Sequence, residues 1–182
     1  MASMENIKET VAIPEGITVK VESGIITVTG PKGEVSRKLL HPRVEMAVSS
    51  EGVEFFAKKF SKTEKKLMKT YLAHVRNLFK GVTEGHEYKL KICSGHFPMN
   101  VSIKGNKLEI KNFIGESVPR TIEFKEGIKV NVKGDEIVVS GINKELVSQA
   151  AASIEQLSRR SGFDRRRFQD GIYLTEKDGK EL

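Results

Sequence analysis

One apolar pattern occurs twice in this chain, and it limits the possible folds more than any other feature of the sequence. Apolar residues at i, i+1, i+4, i+5, i+8 and i+11 form one stripe along a helix and predict that the helix packs on a core. The two copies begin at Leu67 and Leu146, a displacement of 146 − 67 = 79 residues. We therefore expect two similar units with one helix each. The stripes are Leu67, Met68, Tyr71, Leu72, Val75 and Leu78 in the first copy, and Leu146, Val147, Ala150, Ala151, Ile154 and Leu157 in the second.

Local signals mark the ends of both helices. Ser61 is placed to cap the first helix, and Glu64, three residues on, is placed to reach back to the cap amide as in a capping box. Gly81 is placed to end this helix, and the second helix is expected to begin near Asn143. The residues expected to be buried inside their own domains are Leu67, Leu72, Val75, Val147, Ala151 and Ile154.

Short runs of alternating or clustered apolar residues precede each helix and predict strands. Turn signals such as Ser23-Gly24 and Glu51-Gly52 separate these runs. The predicted strands are 17–21, 25–29, 35–40, 44–48 and 53–56 in the first half, and 100–104, 107–112, 118–124, 128–132 and 136–140 in the second.

The repetition predicts an α+β fold class, with two tandem copies of a small domain produced by internal duplication. Each copy is a set of short antiparallel strands packed on one helix, and both copies should share one strand order. Two repeats are too few for a solenoid. We place the first domain at 1–82, with a short N-terminal tail, and the second at 83–182, with a basic C-terminal extension.

The charge balance favours a polyanionic partner. Lysine and arginine exceed aspartate and glutamate by 31 − 24 = 7 in the 182 residues. The lone Cys93 excludes an internal disulfide and fits a reducing cytoplasm. Residues 1–10 have no apolar core of the kind that a secretory signal needs, and no run is long and apolar enough for a membrane span. We expect a cytoplasmic protein without a membrane partner.

The sequence contains no pattern typical of an active site, a metal site or a cofactor site. His41, His74, His86 and His96 are scattered, and none is paired at metal-ligand spacing. Residues 30–33 (GPKG) lack the spacing and the Ser or Thr of a phosphate-binding loop, so a hairpin turn is preferred there. We expect no enzymatic activity, no catalytic residue, no metal, no cofactor and no small-molecule substrate.

Basic residues are concentrated along the first helix. Between Lys58 and Lys80 there are eight basic residues and one acid, Glu64. Several of these basic residues lie on the face opposite the apolar stripe. That face could contact RNA phosphates or simply be solvated, and the sequence leaves both alternatives open. The candidate RNA contacts on this helix are Lys62, Lys65, Lys66 and Lys69.

A second basic cluster follows the second helix and combines arginines with aromatic residues. Arginine offers a bidentate fork to phosphate, and aromatic rings stack on unpaired bases. Asp164 is placed to cap a short helical turn through Phe168 that Gly171 would end. The candidate RNA-binding residues here are Arg159, Arg160, Arg165, Arg166, Arg167, Phe168, Gly171 and Tyr173, with Phe163 interleaved among them.

Five stretches in order along nearly the whole chain resemble the family of the sixth large-subunit ribosomal protein, in its archaeal and eukaryotic cytosolic branch. The resemblance agrees with the internal repeat, because that family has two tandem copies of one α+β domain. The stretches are VTGPKGEV at 28–35, FKGVTEG at 79–85, HFPMNVSIKGNKLEIKNFIGE at 96–116, ELVSQAAASI at 145–154 and FDRRRFQDGIYL at 163–174.

The resemblance implies a structural, non-enzymatic place in the large ribosomal subunit, without a cofactor. It implies contact with large-subunit rRNA at the base of the factor-binding region near the sarcin–ricin loop, neighbouring ribosomal proteins, and elongation factors that pass close by during translation. The chain departs from the bacterial branch, whose corresponding segment is rich in proline and lysine. The family's C-terminal basic motif falls on Arg165, Arg166, Arg167, Phe168, Asp170, Gly171, Ile172 and Tyr173.

Two other functions would also use a basic surface. An RNA-modifying or RNA-cleaving enzyme should place a histidine, lysine or carboxylate constellation beside the arginines, but only Asp164 and Asp170 occur there. Asp164 is explained as a helix cap and Asp170 as an ion-pair partner. A non-ribosomal RNA-binding regulator would have a similar surface, so it stays the main alternative.

Overall fold

A computed structural model describes residues 7–49, 52–57, 61–164 and 166–182. It divides into two compact units, residues 1–85 and residues 86–182. Each unit contains antiparallel strands and one long helix. The predicted α+β class with two tandem copies is confirmed. Neither long helix in the described ranges has the length and apolarity needed to cross a lipid bilayer.

The first unit has two three-stranded antiparallel sheets, with strand orders β1-β6-β5 and β2-β3-β4. The helix contacts strands of both sheets, so the apolar faces of the sheets and the helix stripe form one core. The elements are β1 (Ile7–Val11), β2 (Thr18–Glu22), β3 (Ile25–Gly30), β4 (Gly33–Lys38), β5 (Val44–Ser49), β6 (Gly52–Ala57) and α1 (Lys62–Thr83).

The second unit has one three-stranded sheet, β10-β9-β8, and one five-stranded sheet, β11-β12-β7-β13-β14. All neighbouring strands pair antiparallel. The elements are β7 (His86–Cys93), β8 (Asn100–Lys104), β9 (Lys107–Lys111), a short 3-10 helix (Phe113–Gly115), β10 (Arg120–Glu123), β11 (Ile128–Lys133), β12 (Glu136–Gly141), α2 (Lys144–Leu157), β13 (Gly171–Lys177) and β14 (Lys180–Glu181).

The two units share one strand order. The order β1-β6-β5 corresponds to β7-β12-β11, and β2-β3-β4 corresponds to β8-β9-β10. The starts of β2 and β8 differ by 100 − 18 = 82 residues, and those of β5 and β11 by 128 − 44 = 84. The expected common order is therefore confirmed. The second unit adds β13 beside β7 and β14 beside β13. The predicted strands include neither of these, nor β1 and β7.

Burial of the helix stripes follows the prediction with one exception. Five of the six residues expected in the cores are buried, and Leu67 is only partly buried. Met68 is completely buried, so it lies at the centre of the stripe and Leu67 lies at its edge. The same holds 79 residues later, where Val147 is buried and Leu146 partly exposed. The buried five are Leu72, Val75, Val147, Ala151 and Ile154.

The start of α1 is capped differently from the expected capping box. The Ser61 hydroxyl accepts a hydrogen bond from the amide of Thr63 at 3.2 Å, so Ser61 is the N-cap. The Glu64 carboxylate, however, accepts hydrogen bonds from the Ser61 hydroxyl and from the Arg43 guanidinium, the latter at 2.8 Å. The Arg43 hydrogen bond lowers the pKa of the Glu64 carboxyl. The buried Glu64 carboxylate is therefore bonded to Arg43 and the Ser61 hydroxyl instead of the cap amide.

The end of α1 lies later than predicted. The helix runs through a buried Gly81 to Thr83, and Gly85 follows with φ +81°. The Gly85 amide donates to the Lys80 carbonyl at 3.0 Å, which satisfies a helix-terminal acceptor. Gly85 therefore has the terminating role predicted for Gly81.

Residues 30–33 form the β3–β4 hairpin turn, as predicted. A Cβ atom on Gly30 would lie 2.7 Å from the Val82 side chain, so glycine permits this close approach to α1. The Lys32 amide donates to the Val82 carbonyl at 3.0 Å, and the Lys32 ammonium donates to the Glu84 carbonyl. Lys32 therefore stabilises the C-terminus of α1.

Candidate nucleic-acid interface

The arginines predicted to bind RNA lie on residues 158–170, between α2 and β13, which we call the arginine segment. A buried Ser158 joins its two ends. The Ser158 hydroxyl accepts a hydrogen bond from the Ile172 amide at 2.9 Å and donates to the Glu155 carbonyl at 2.9 Å. Ile172 is completely buried in the core of the unit. Both ends of the segment are therefore attached to the core.

Arg120 on β10 holds the first part of the arginine segment. Its Nη1 donates to the carbonyls of Leu157 and Arg159, at 2.6 and 3.1 Å. Its Nε and Nη2 donate to both carboxylate oxygens of Glu116, at 2.8 and 2.7 Å. These hydrogen bonds lower the pKa of the Glu116 carboxyl. The guanidinium also lies 4.3 Å from the centre of the Phe113 ring. One arginine thus caps α2 and fixes the chain that carries Arg159.

Asp170 holds the last part of the segment. Its buried carboxylate accepts hydrogen bonds from the amides of Gly95 and His96, at 2.7 and 2.9 Å, and faces the His96 Nδ1 at 2.5 Å. Burial opposes ionisation of this carboxyl, but the hydrogen bonds from His96 and Gly95 outweigh it, so the net effect is a lowered pKa. Asp170 therefore ties the arginine segment to the loop that follows β7.

The variant Asp170→Asn is expected to lower the free energy of unfolding by about 2 kcal/mol at pH 5, because hydrogen bonds to a charged acceptor are lost. The pKa of Asp170 is lower in the folded state than the value of about 3.9 in the unfolded state. The carboxylate therefore stabilises the fold above about pH 4, and this stabilisation is lost as the pH falls through the folded-state pKa. Urea unfolding of both proteins between pH 2 and 6 measures it. A difference that stayed constant down to pH 2 would contradict the assignment.

Aromatic contacts keep the middle of the segment in place. The Phe168 ring is half-buried and lies 5.0 Å from both the His96 ring and the Phe163 ring, measured between centroids. The Arg160 guanidinium lies 4.2 Å from the centre of the Phe163 ring, and its Nη1 lies 3.9 Å from a Glu116 oxygen. Phe168 therefore packs within the protein, and Phe163 and Arg160 form a stacked pair.

The expected helical turn after Asp164 is present as a single turn. The Asp164 carboxylate accepts from the Arg166 amide at 3.0 Å, and its carbonyl accepts from the amides of Arg167 and Phe168, at 3.0 and 2.9 Å. Gly171 was predicted to end this turn. It instead begins β13, where it lies opposite Cys93. A Cβ atom there would lie 3.2 Å from the Tyr173 hydroxyl oxygen, so glycine lets the tyrosine lie against the backbone.

The arginines differ in whether the protein already neutralises them. Arg166 forms an ion pair with Asp164 at 3.2 Å, and the pKa of the Asp164 carboxyl is lowered by the Arg166 amide and then by its guanidinium. The Arg159 and Arg167 side chains are exposed and have no carboxylate partner among the described residues. Arg165 lies outside the described residues. Arg159 and Arg167 are therefore the described arginines of this segment that are most available to an external anion.

Sequence comparison identifies the family. A family model described as ribosomal protein L6 matches residues 13–85 and 97–171. The chain belongs to the ribosomal protein L6 family. It is 44% identical over 176 residues to a protein of Methanococcus vannielii named "Large ribosomal subunit protein uL6", covering 97% of each chain. It is 44% identical over 174 residues to a protein of the same name from Methanosarcina mazei, covering 96% of this chain and 99% of that one.

The family match confirms the resemblance and the two repeats inferred from the sequence. The second matched range ends at residue 171, so it includes the whole arginine segment. The ribosomal protein L6 family is structural and not enzymatic. In this member of it, no group of His, Cys, Asp or Glu that could hold a metal occurs among the described residues.

The lysines of α1 form a second basic surface on the first unit of this L6-family protein. Lys62, Lys65 and Lys66 are exposed and have no ion-pair partner within the part of the chain that the structure describes. Lys69 forms an ion pair with Glu9 of β1 at 2.8 Å. Lys58 and Lys59 lie outside the described residues. Lys69 therefore differs from the other three candidate lysines because it has an ion-pair partner. The spacing of the lysines along the helix does not predict this difference.

Proposed function

We propose that this chain is a structural constituent of the large ribosomal subunit in the cytoplasm and that it binds large-subunit rRNA through the arginine segment. Membership of the ribosomal protein L6 family supports the first part, because both relatives bear the name of a large-subunit protein. The observation that carries the second part is the pair of exposed, unneutralised guanidiniums, Arg159 and Arg167, on a segment attached to the core.

The physical argument concerns charge and order. An arginine that reaches a phosphate displaces condensed counterions and donates a bidentate pair of hydrogen bonds. Because Arg120, Ser158 and Asp170 already hold the segment, little conformational entropy remains to be lost on binding. The ion pairs of Arg160 and Arg166 are exposed or half-exposed and weak, so both arginines can add phosphate contacts.

The finer placement follows the resemblance to the family. The rRNA contacted lies in the factor-binding region near the sarcin–ricin loop, other large-subunit proteins are neighbours, and elongation factors are transient partners. No cofactor and no small-molecule substrate belong to this function. The exposed Lys62, Lys65 and Lys66 supply a secondary phosphate-binding face on α1. Lys69 contributes less because Glu9 neutralises it.

The alternative is an RNA-binding regulator outside the ribosome. Sucrose-gradient sedimentation of cell extract distinguishes the two functions. We expect the protein to co-migrate with the large subunit even after a wash in about 1 M salt, where electrostatic screening extends over only about 3 Å. An integrated constituent resists this wash because its contacts are buried in the assembly. Release of most of the protein into the top fractions would favour the regulator.

A further inference from the structure

A cleft of about 340 Å³ opens beside the arginine segment. Its lining includes Gln156 and Arg159 at the end of α2, Arg160 and Phe163 in the segment, and Phe168 and Tyr173 beyond them. A volume near the lower end of the range for small-molecule sites is large enough for one planar heterocycle and too small for a nucleic-acid helix. The cleft therefore has the dimensions of a site for a single base.

The walls of the cleft offer flat stacking surfaces. The Arg160 guanidinium and the Phe163 ring form one stacked pair, with 4.2 Å between the guanidinium carbon and the ring centre. Phe163 is 36% exposed, so part of its side chain is open to a ligand. Bases that are not paired stack on aromatic rings and on arginine planes. The same side chains that line the cleft are thus suited to hold a base by its faces.

The rim of the cleft offers polar groups. The Gln156 amide is exposed and has no hydrogen-bond partner among the residues that the structure describes. An amide carries both donors and an acceptor, so it can pair with the edge of a base. Arg159 stands at the same cleft with an unneutralised guanidinium and can contact the adjoining phosphate. The cleft thus has one group suited to the face of a base, one suited to its edge and one suited to its phosphate.

We propose that this cleft binds one unpaired nucleobase of an RNA that the arginine segment holds by its phosphates. The proposal rests on the proposed function, since it names the feature of the RNA that the same site recognises. A base in an A-form helix cannot enter, because its faces are stacked and its edges lie in the grooves. The ligand is therefore a bulged or loop nucleotide.

A stem-loop RNA with a single bulged 2-aminopurine tests this with the full-length protein. We expect it to bind about tenfold more tightly than the same RNA with an abasic bulge, which corresponds to the stacking of one base. The 2-aminopurine fluorescence should also change on binding, because the base moves between the cleft walls. Equal affinities for both RNAs would overturn the proposal. Displacement of the bulged RNA by micromolar AMP would overturn it too, by assigning the cleft to free nucleotides.

Two substitutions link the preference to the cleft. Gln156→Ala and Phe163→Leu should each reduce the tenfold preference by at least half without changing the salt dependence of binding, since neither alters a charge. Gln149→Ala is the matched control, because Gln149 is exposed on the same helix but does not line this cleft. An unchanged preference in both cleft variants would overturn the proposal and leave RNA binding by the arginines intact. Absence of any RNA binding would overturn the proposed function as well.

Discussion

The variant Leu72→Asp is expected to abolish folding of the first unit. Leu72 is 3% exposed and lies in the apolar stripe of α1. Removing a buried leucine side chain costs about 2 to 5 kcal/mol, and an unpaired buried carboxylate costs several more. The free energy of unfolding of an ordinary domain is about 5 to 15 kcal/mol, so the combined loss removes most or all of the stability of this unit. Differential scanning calorimetry should show a missing unfolding transition.

The matched control for this variant is Ala73→Asp. Ala73 is the next residue of α1 and is exposed, so the new carboxylate stays hydrated. Both variants introduce the same side chain into the same turn of the helix and share its low helix propensity. We expect the control to lose about 1 kcal/mol or less and to keep its transition. A Leu72→Asp protein with normal unfolding would contradict the core assigned to this unit.

Both helices, and ten of the twelve strands before the arginine segment, could be predicted because their signals are local. The stripe on each helix repeats every three to four residues, and strand alternation repeats every two. Even the partial exposure of Leu67 recurs at Leu146, since a duplicated stripe has the same edge in both copies. The strand order could be predicted as common to both units, although neither order itself could be derived.

The strands outside the prediction are β1, β7, β13 and β14. Strand β7 reads HEYKLKIC and alternates between more buried and more exposed residues, so its local signal was sufficient to predict it. The outer strand β1 reads IKETV and carries Lys8, Glu9 and Thr10 in a row, so it lacks the apolar alternation expected of a strand. The assignment of β13 failed for another reason. Its glycine was interpreted as a helix terminator, whereas Gly171 is needed for the close approach of Tyr173. Only the packing across the sheet distinguishes these two uses of glycine.

The arginine segment itself could be predicted from composition, but the state of each arginine could not. Arg120 lies 37 residues before Leu157, whose carbonyl it caps, so no local pattern relates them. The neutralisation of Lys69 by Glu9 likewise joins residues that are 60 apart in sequence. Such contacts depend on the tertiary fold, which is why sequence reasoning ranked the arginine cluster above the α1 lysines but could not distinguish the members of either set.

The second large effect is expected when the two unneutralised arginines are removed together. The double variant Arg159→Ala/Arg167→Ala should bind a large-subunit rRNA fragment containing the sarcin–ricin loop more weakly. Its plot of log K against log salt should be shallower by about 1.4 to 1.8, because each lost phosphate contact removes about 0.7 to 0.9. The fold should persist, since neither side chain has an ion-pair partner within the described ranges. Circular dichroism during heating checks this.

Salt titration of RNA binding tests most directly whether the arginine segment is the main RNA anchor. The titration compares this arginine variant with a lysine variant. The lysine variant is Lys65→Ala/Lys66→Ala, which removes the same charge from exposed positions of α1. We expect its slope to change by less than half as much as that of the arginine variant. An unchanged slope for the arginine variant, or equal changes for the two variants, would contradict the assignment of the arginine segment as the anchor.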